Sequence, residues 1–129
     1  MLGLSFQEIG DRFDDIVEFA ELEKFVDTPV KFFSSGMVSR LSFSIAIQAN
    51  ADIYLIDEFF ADVGDKRFQE KAHRAFKDKI GSGKTVLHVS HSEELLKKYC
   101  NRYLLLHQGV CSTHEDLDQA LTEYNSLYK

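Results

Sequence analysis

The 129-residue chain is poor in the residues that staple, kink or anchor a polypeptide. Cys100 and Cys111 are its only cysteines, too few for a disulfide scaffold and not spaced as a metal pair, so two free thiols are expected. One proline, Pro29, and seven glycines punctuate the sequence, which gives each of their positions meaning. No apolar stretch approaches the ~20 residues that cross a bilayer. The amino terminus has no charged segment leading into an apolar one, so no export signal is expected and the chain reads as soluble and intracellular. No basic run occurs and the net charge is −6 with histidine neutral. A groove that neutralises nucleic-acid phosphates is therefore excluded on electrostatic grounds. What remains is 44% hydrophobic and 28% charged, the balance of a folded domain rather than a disordered one. The length suits one small domain, or two lobes sharing a core.

Helical patterning opens the chain. Ser5 and Glu8 form a capping box, and Phe6, Ile9, Phe13, Ile16, Val17, Ala20 and Phe25 fall near a helical period up to about Asp27. Asp27-Thr28-Pro29 ends that segment. Phe32 to Gly36 reads as a loop opening a second helix over 37–49, with Val38, Leu41, Ile45 and Ala49 on one side. Ala51 to Ile56 is a short apolar run closed by two acids, the pattern of a buried parallel strand. A third helix over 66–80 turns Phe68, Ala72, Ala75, Phe76 and Ile80 inward. Thr85 to Ser90 reads as a second buried strand, followed by a helix over 93–100. A hairpin around Gln108-Gly109 and a final helix from about Thr113 complete the order. The expected class is α/β, with a helical lobe over residues 1–50 and parallel strands within residues 51–129.

Three motifs carry chemistry. Ile53-Tyr54-Leu55-Ile56-Asp57-Glu58 would deliver two carboxylates to the carboxyl edge of a sheet, where open α/β sheets bind ligands. In phosphoryl transfer one such acid holds Mg²⁺ and the next polarises the attacking water; a strand capped by solvated acids is the bland equivalent. Ser34-Ser35-Gly36 before a helix leaves backbone N–H groups and the positive helix end facing outward, suited to a terminal phosphate, although a plain serine cap looks the same. His91 lies just past a strand end, where it could reach the same phosphate or simply be a solvated loop histidine.

Order and spacing together resemble the ATP-binding cassette (ABC) ATPases, over nearly the whole chain. Ser34-Ser35-Gly36-Met37 with Arg40 resembles the signature motif of exporters of capsular polysaccharide, O-antigen and teichoic acid. Asp57-Glu58 resembles the Walker B pair, Val63-Gly64-Asp65 the D-loop, and His91 the switch histidine. Glu18 to Leu22 and Gly83 to Val86 fit the same group. The resemblance implies a partial P-loop NTPase core carrying a helical lobe, with ATP and Mg²⁺ as cofactors. It implies Asp57 as the Mg²⁺ residue, Glu58 as general base and His91 on the γ-phosphate. Ser34, Ser35, Gly36 and Asp65 would face nucleotide shared with the opposite subunit. The implied partners are a second ATPase subunit, identical or not, and an integral membrane permease that holds the protein at the inner face of the plasma membrane.

Gly81-Ser82-Gly83-Lys84-Thr85 imitates a phosphate-binding loop, but Asp78 stands where G-x-x-x-x-G-K-[ST] needs glycine. A helix precedes it and a strand follows, the reverse of a P-loop, so a helix cap and turn are expected. Walker A and the Q-loop thus have no counterpart in these residues, and a fragment unable to hydrolyse ATP alone is the expectation. The alternatives are a signature-donating, non-catalytic partner of an intact ATPase, the carboxy-terminal lobe of a chromosome-maintenance type ATPase head, or a generic α/β interaction domain.

Overall fold

The computed structural model describes residues 5–58 and 63–127. The chain divides into two compact units, residues 1–87 and 88–129.

The first unit opens with α1 (Phe6–Asp11), started by the expected capping box. Ser5 Oγ accepts from the Glu8 amide at 3.2 Å, and the Glu8 carboxylate accepts from the Ser5 amide at 2.8 Å. Hydrogen bonds from the Ser5 backbone and side chain hold the Glu8 carboxyl below its usual range. The single long helix expected here is broken twice. Arg12 leaves helical geometry, and its guanidinium donates to the Gln48 carbonyl; α2 (Phe13–Ala20) follows. Glu21 then enters left-handed backbone, with φ 58°, and the chain leaves in two 3₁₀ turns, Glu23–Phe25 and Val30–Phe32. The breaks rotate the apolar stripe out of register. Ile16 and Ala20 are buried, whereas Phe6 is 95% exposed and Ile9, Phe13 and Phe25 also face solvent.

Helix α3 (Ser35–Gln48) buries Phe43, Ser44 and Ile47, not the side through Val38, which is exposed. This helix is apolar around much of its circumference, so spacing alone does not single out a face. Aromatic packing does: Phe43 stacks on Phe19 of α2 at 6.0 Å, and Phe68 meets both edge-on at 5.9 and 6.3 Å. The buried Ser44 hydroxyl is satisfied by donating to the Arg40 carbonyl at 2.7 Å. Helix α4 (Lys66–Gly81) behaves as its period dictates, with Phe68, Ala72 and Phe76 buried.

Strands β1 (Ile53–Asp57) and β2 (Thr85–Val89) pair in parallel. The Tyr54 hydroxyl ties the start of β1 to the Ala49 carbonyl at 2.5 Å. The strands are not buried on both faces as expected. Ile53, Leu55 and Leu87 are 61%, 76% and 48% exposed, while Tyr54, Ile56 and Val86 are half-buried. One apolar face is bare, because no element within the described residues of this unit covers it.

The second unit contains the end of β2, then α5 (Glu93–Tyr99), β3 (Tyr103–His107), β4 (Val110–His114) and α6 (Leu117–Ser126). β3 and β4 form an antiparallel hairpin with His107 opposite Val110. Its two-residue turn holds Gln108 and Gly109 at φ 47° and 79°, the mirror-image turn that matches strand twist. β4 runs on to His114, so α6 starts later than the expected Thr113, capped by Asp116. Leu117 and Ala120 are buried. Glu123 of α6 accepts from Ser112 at 2.8 Å and lies 3.1 Å from His114 Nε2. Burial pushes the Cys100 thiol up; Cys111 is exposed. Among the described residues, no helix is long and apolar enough to cross a membrane.

Candidate functional site

Three segments of the first unit hold the residues singled out by sequence, apart from His91. At the start of α3, Ser34 Oγ accepts from the Met37 amide at 3.2 Å. Ser39 turns its hydroxyl back to the carbonyls of Ser35 and Gly36 at 2.9 and 3.3 Å. Helix geometry leaves the Ser35 and Gly36 amides without an internal acceptor. Ser34 and Ser35 are exposed. Gly36 keeps ordinary negative φ, and a Cβ built on it would approach only Ser34 Oγ, at 4.0 Å. Among the described residues nothing demands glycine there, and its bare backbone leaves space for something outside to come close.

Asp57 ends β1 and Glu58 follows, both exposed. Glu58 has φ 45°, a left-handed conformation uncommon for a non-glycine residue. Such strain collects where a side chain must be aimed. Two acids are thereby displayed in succession at the carboxyl end of a parallel strand. Among the described residues no three His, Cys, Asp or Glu side chains form a metal cage. Mg²⁺ does not need one, since it is commonly held by one or two carboxylates together with phosphates and water, and Asp57 fits that donor pattern.

The third segment is Val63–Asp65. Val63 is 2% exposed, and Asp65 caps α4 by accepting from the Phe68 amide at 2.9 Å. Gly64, at φ 65°, lies against the Arg40 side chain of α3. The structure therefore brings this turn up to the helix that begins with Ser34–Gly36. His91 belongs to the second unit, exposed between β2 and α5, beside Ser90, whose hydroxyl accepts from the Ser92 amide at 3.0 Å.

Gly81 to Thr85 is the helix end and turn expected of it. Ser82 caps α4, Gly83 turns the chain at φ 81°, and Lys84 pairs with Asp52 at 3.2 Å. The sequence marks Glu21 only as part of the Glu18 to Leu22 stretch and does not announce its charge partners. Glu21 gathers Arg40 at 3.7 Å, Lys71 at 3.5 Å and Arg67 around one carboxylate. Partners lying 19 to 50 positions away leave no spacing signal.

No family model matches the chain. Among solved structures, 95% of it superposes on 57% of an ATP-binding subunit of an ABC transporter, with a TM-score of 0.73 and 22% identity. A nucleotide-free ATP-binding cassette of an ABC transporter gives 0.63 over 93% of the chain and 48% of its own length, at 16% identity. The fold is thus that of part of an ABC ATPase, a P-loop NTPase architecture.

Sequence narrows the class. The teichoic acids export ATP-binding protein TagH of Lactococcus lactis is 41% identical over 127 residues, covering 98% of the chain and 27% of that protein. The polysialic acid transport ATP-binding protein KpsT of Escherichia coli is 41% identical over 118 residues, covering 91% and 53%. The chain is a homologue of the ATP-binding proteins of teichoic acid and polysialic acid export ABC transporters, and spans 27% to 53% of the length of these two relatives.

Proposed function

We propose that this chain is the signature-bearing part of an ATP-binding subunit that drives export of a polysaccharide or teichoic-acid polymer. The observation that carries this reading is the start of α3, where Ser34 and Ser35 are exposed and a Cβ built on Gly36 would meet only Ser34 Oγ, at 4.0 Å. Ser34, Ser35 and Gly36 would present N–H and hydroxyl donors, with the helix dipole behind them, to the terminal phosphate of ATP held by an opposite subunit. Asp65 would flank the same shared nucleotide. In the chain's own half-site, Asp57 would hold Mg²⁺, Glu58 would take the proton of the attacking water, and His91 would donate to the γ-phosphate. Mg²⁺, when bound, neutralises charge on the phosphates.

Residues 1–129 contain no G-x-x-x-x-G-K-[ST] motif, so that half-site has no cradle for the β-phosphate. The chain by itself is therefore proposed not to turn ATP over. Paired with an intact subunit it would complete one site by donating the signature, which is also the second reading, a non-catalytic partner. A second ATPase subunit and a membrane permease are the partners, and attachment to the permease would place the protein at the cytoplasmic membrane face. The purified chain should show only background ATP turnover, unchanged by Glu58→Gln. Turnover that disappears with Glu58→Gln would refute the incomplete half-site.

A further inference from the structure

Among the described residues of the first unit, three cations gather on Glu21, just past the end of α2. Its three cations differ in what else holds them. Lys71 donates to the Phe19 carbonyl at 2.8 Å and lies 4.5 Å over the Phe19 ring, so it is anchored independently. Arg67 is 77% exposed. Arg40 is only 20% exposed, and its guanidinium lies 5.8 Å over the Phe68 ring. Its aliphatic stem carries the closest approach. A Cβ built on Gly64 would fall 3.0 Å from Arg40 Cγ, 3.1 Å from its Cδ and 3.1 Å from Phe68 Cβ. Any side chain there would be strained, by the positive φ and by the stem beneath it.

The geometry points to Arg40 as a positioning residue that locks the Val63–Asp65 turn to the helix beginning with Ser34–Gly36. Glu21 holds the guanidinium, Phe68 supports it, and the stem seats Gly64. Arginine suits this task because its planar head can pair with a carboxylate while lying on a ring; lysine keeps the charge and loses the plane. Arg40 lies five positions after Ser35, the first residue of α3, about 7.5 Å of continuous helix, so the two ends move as one body. The functional part of this inference rests on the nucleotide reading of both segments, whereas the mechanical linkage does not.

Hydrogen exchange on the 129-residue chain tests the linkage, with Arg40→Lys, Glu21→Gln, their double variant and Gly64→Ala. Arg40→Lys and Glu21→Gln should each speed exchange of the Phe68 amide, which Asp65 caps, by about tenfold. The buried Ala72 and Phe76 positions should be unchanged. The double variant should be no worse than the stronger single one, because both act on one linkage. Gly64→Ala should speed exchange at Met37 and Val38, at the far end. Uniform acceleration of all amides, or simple additivity, would mean ordinary structural support and overturn the proposal. ATP turnover of the chain mixed with an intact relative whose own signature glycine is replaced supplies the second readout. There kcat should fall several-fold with KM for ATP unchanged. If exchange responds as stated while kcat does not, the linkage stands and the nucleotide reading of Ser34–Gly36 fails; if exchange does not respond, the linkage itself fails.

Discussion

Replacing Gly36 by alanine should push stability and function in opposite directions. Gly36 is a first-turn helical residue with negative φ, and its added methyl would meet only Ser34 Oγ at 4.0 Å. No atom has to move. Alanine gains helix propensity and loses unfolded-chain freedom, which together stabilise by about 0.5–1 kcal/mol. Thermal unfolding followed by circular dichroism should therefore shift upward by roughly 2–5 °C. The same methyl would occupy the space through which a phosphate approaches the helix start. ATP turnover in a mixture with an intact relative, its own signature glycine replaced, should drop by on the order of a hundredfold, the cost of displacing a preorganised donor. A destabilised Gly36→Ala chain would contradict the open space around that residue. A stable variant retaining full turnover in the mixture would show that glycine serves no close approach.

Further outcomes follow from packing and titration. Phe68→Ala removes a ring that is 1% exposed and meets Phe19 and Phe43 edge-on, and should cost about 3–5 kcal/mol by denaturant titration. Leu55→Lys, at a side chain 76% exposed, should change stability by no more than about 0.5 kcal/mol and lower binding of a hydrophobic dye; a loss of several kcal/mol would mean that face is covered. Burial pushes the His88 imidazole below its ordinary value of 6.5, so the unfolded chain binds the extra proton first. Stability should therefore decline as pH falls through about 6.5 and towards the lower folded value. His88→Leu should remove that part of the pH profile measured by chemical denaturation.

The parts of the fold legible in sequence are those where one local rule acts alone. Helix α4 has a clean helical period, and Phe68, Ala72 and Phe76 are buried as that period requires. Gln108-Gly109 falls between two strand-like runs with a glycine at the second turn position, and the hairpin is there. Helix α3 was legible in extent but not in orientation, because apolar residues surround it and aromatic partners on other elements choose the face. The first long helix failed for another reason. Arg12 satisfies a distant carbonyl at Gln48, and Glu21 collects charges from α3 and α4, so tertiary demands break the helix twice. The strands β1 and β2 looked buried because their sequences are mostly apolar, but composition does not say whether a covering layer is present. For the candidate site, the positions of Ser34, Asp57, Glu58 and Asp65 at element ends were readable from pattern. The seat of Gly64 on Arg40 was not, since no spacing announces it.

The most direct measurement is photolabelling with an ATP analogue reactive at its γ-phosphate, followed by mapping of the modified residues. In a mixture with an intact ATP-binding relative, label on this chain should fall at Ser34 to Gly36 and vanish when the partner is omitted. Label at Gly81 to Lys84, or equal labelling of the chain alone, would contradict a signature that closes on nucleotide held by another subunit.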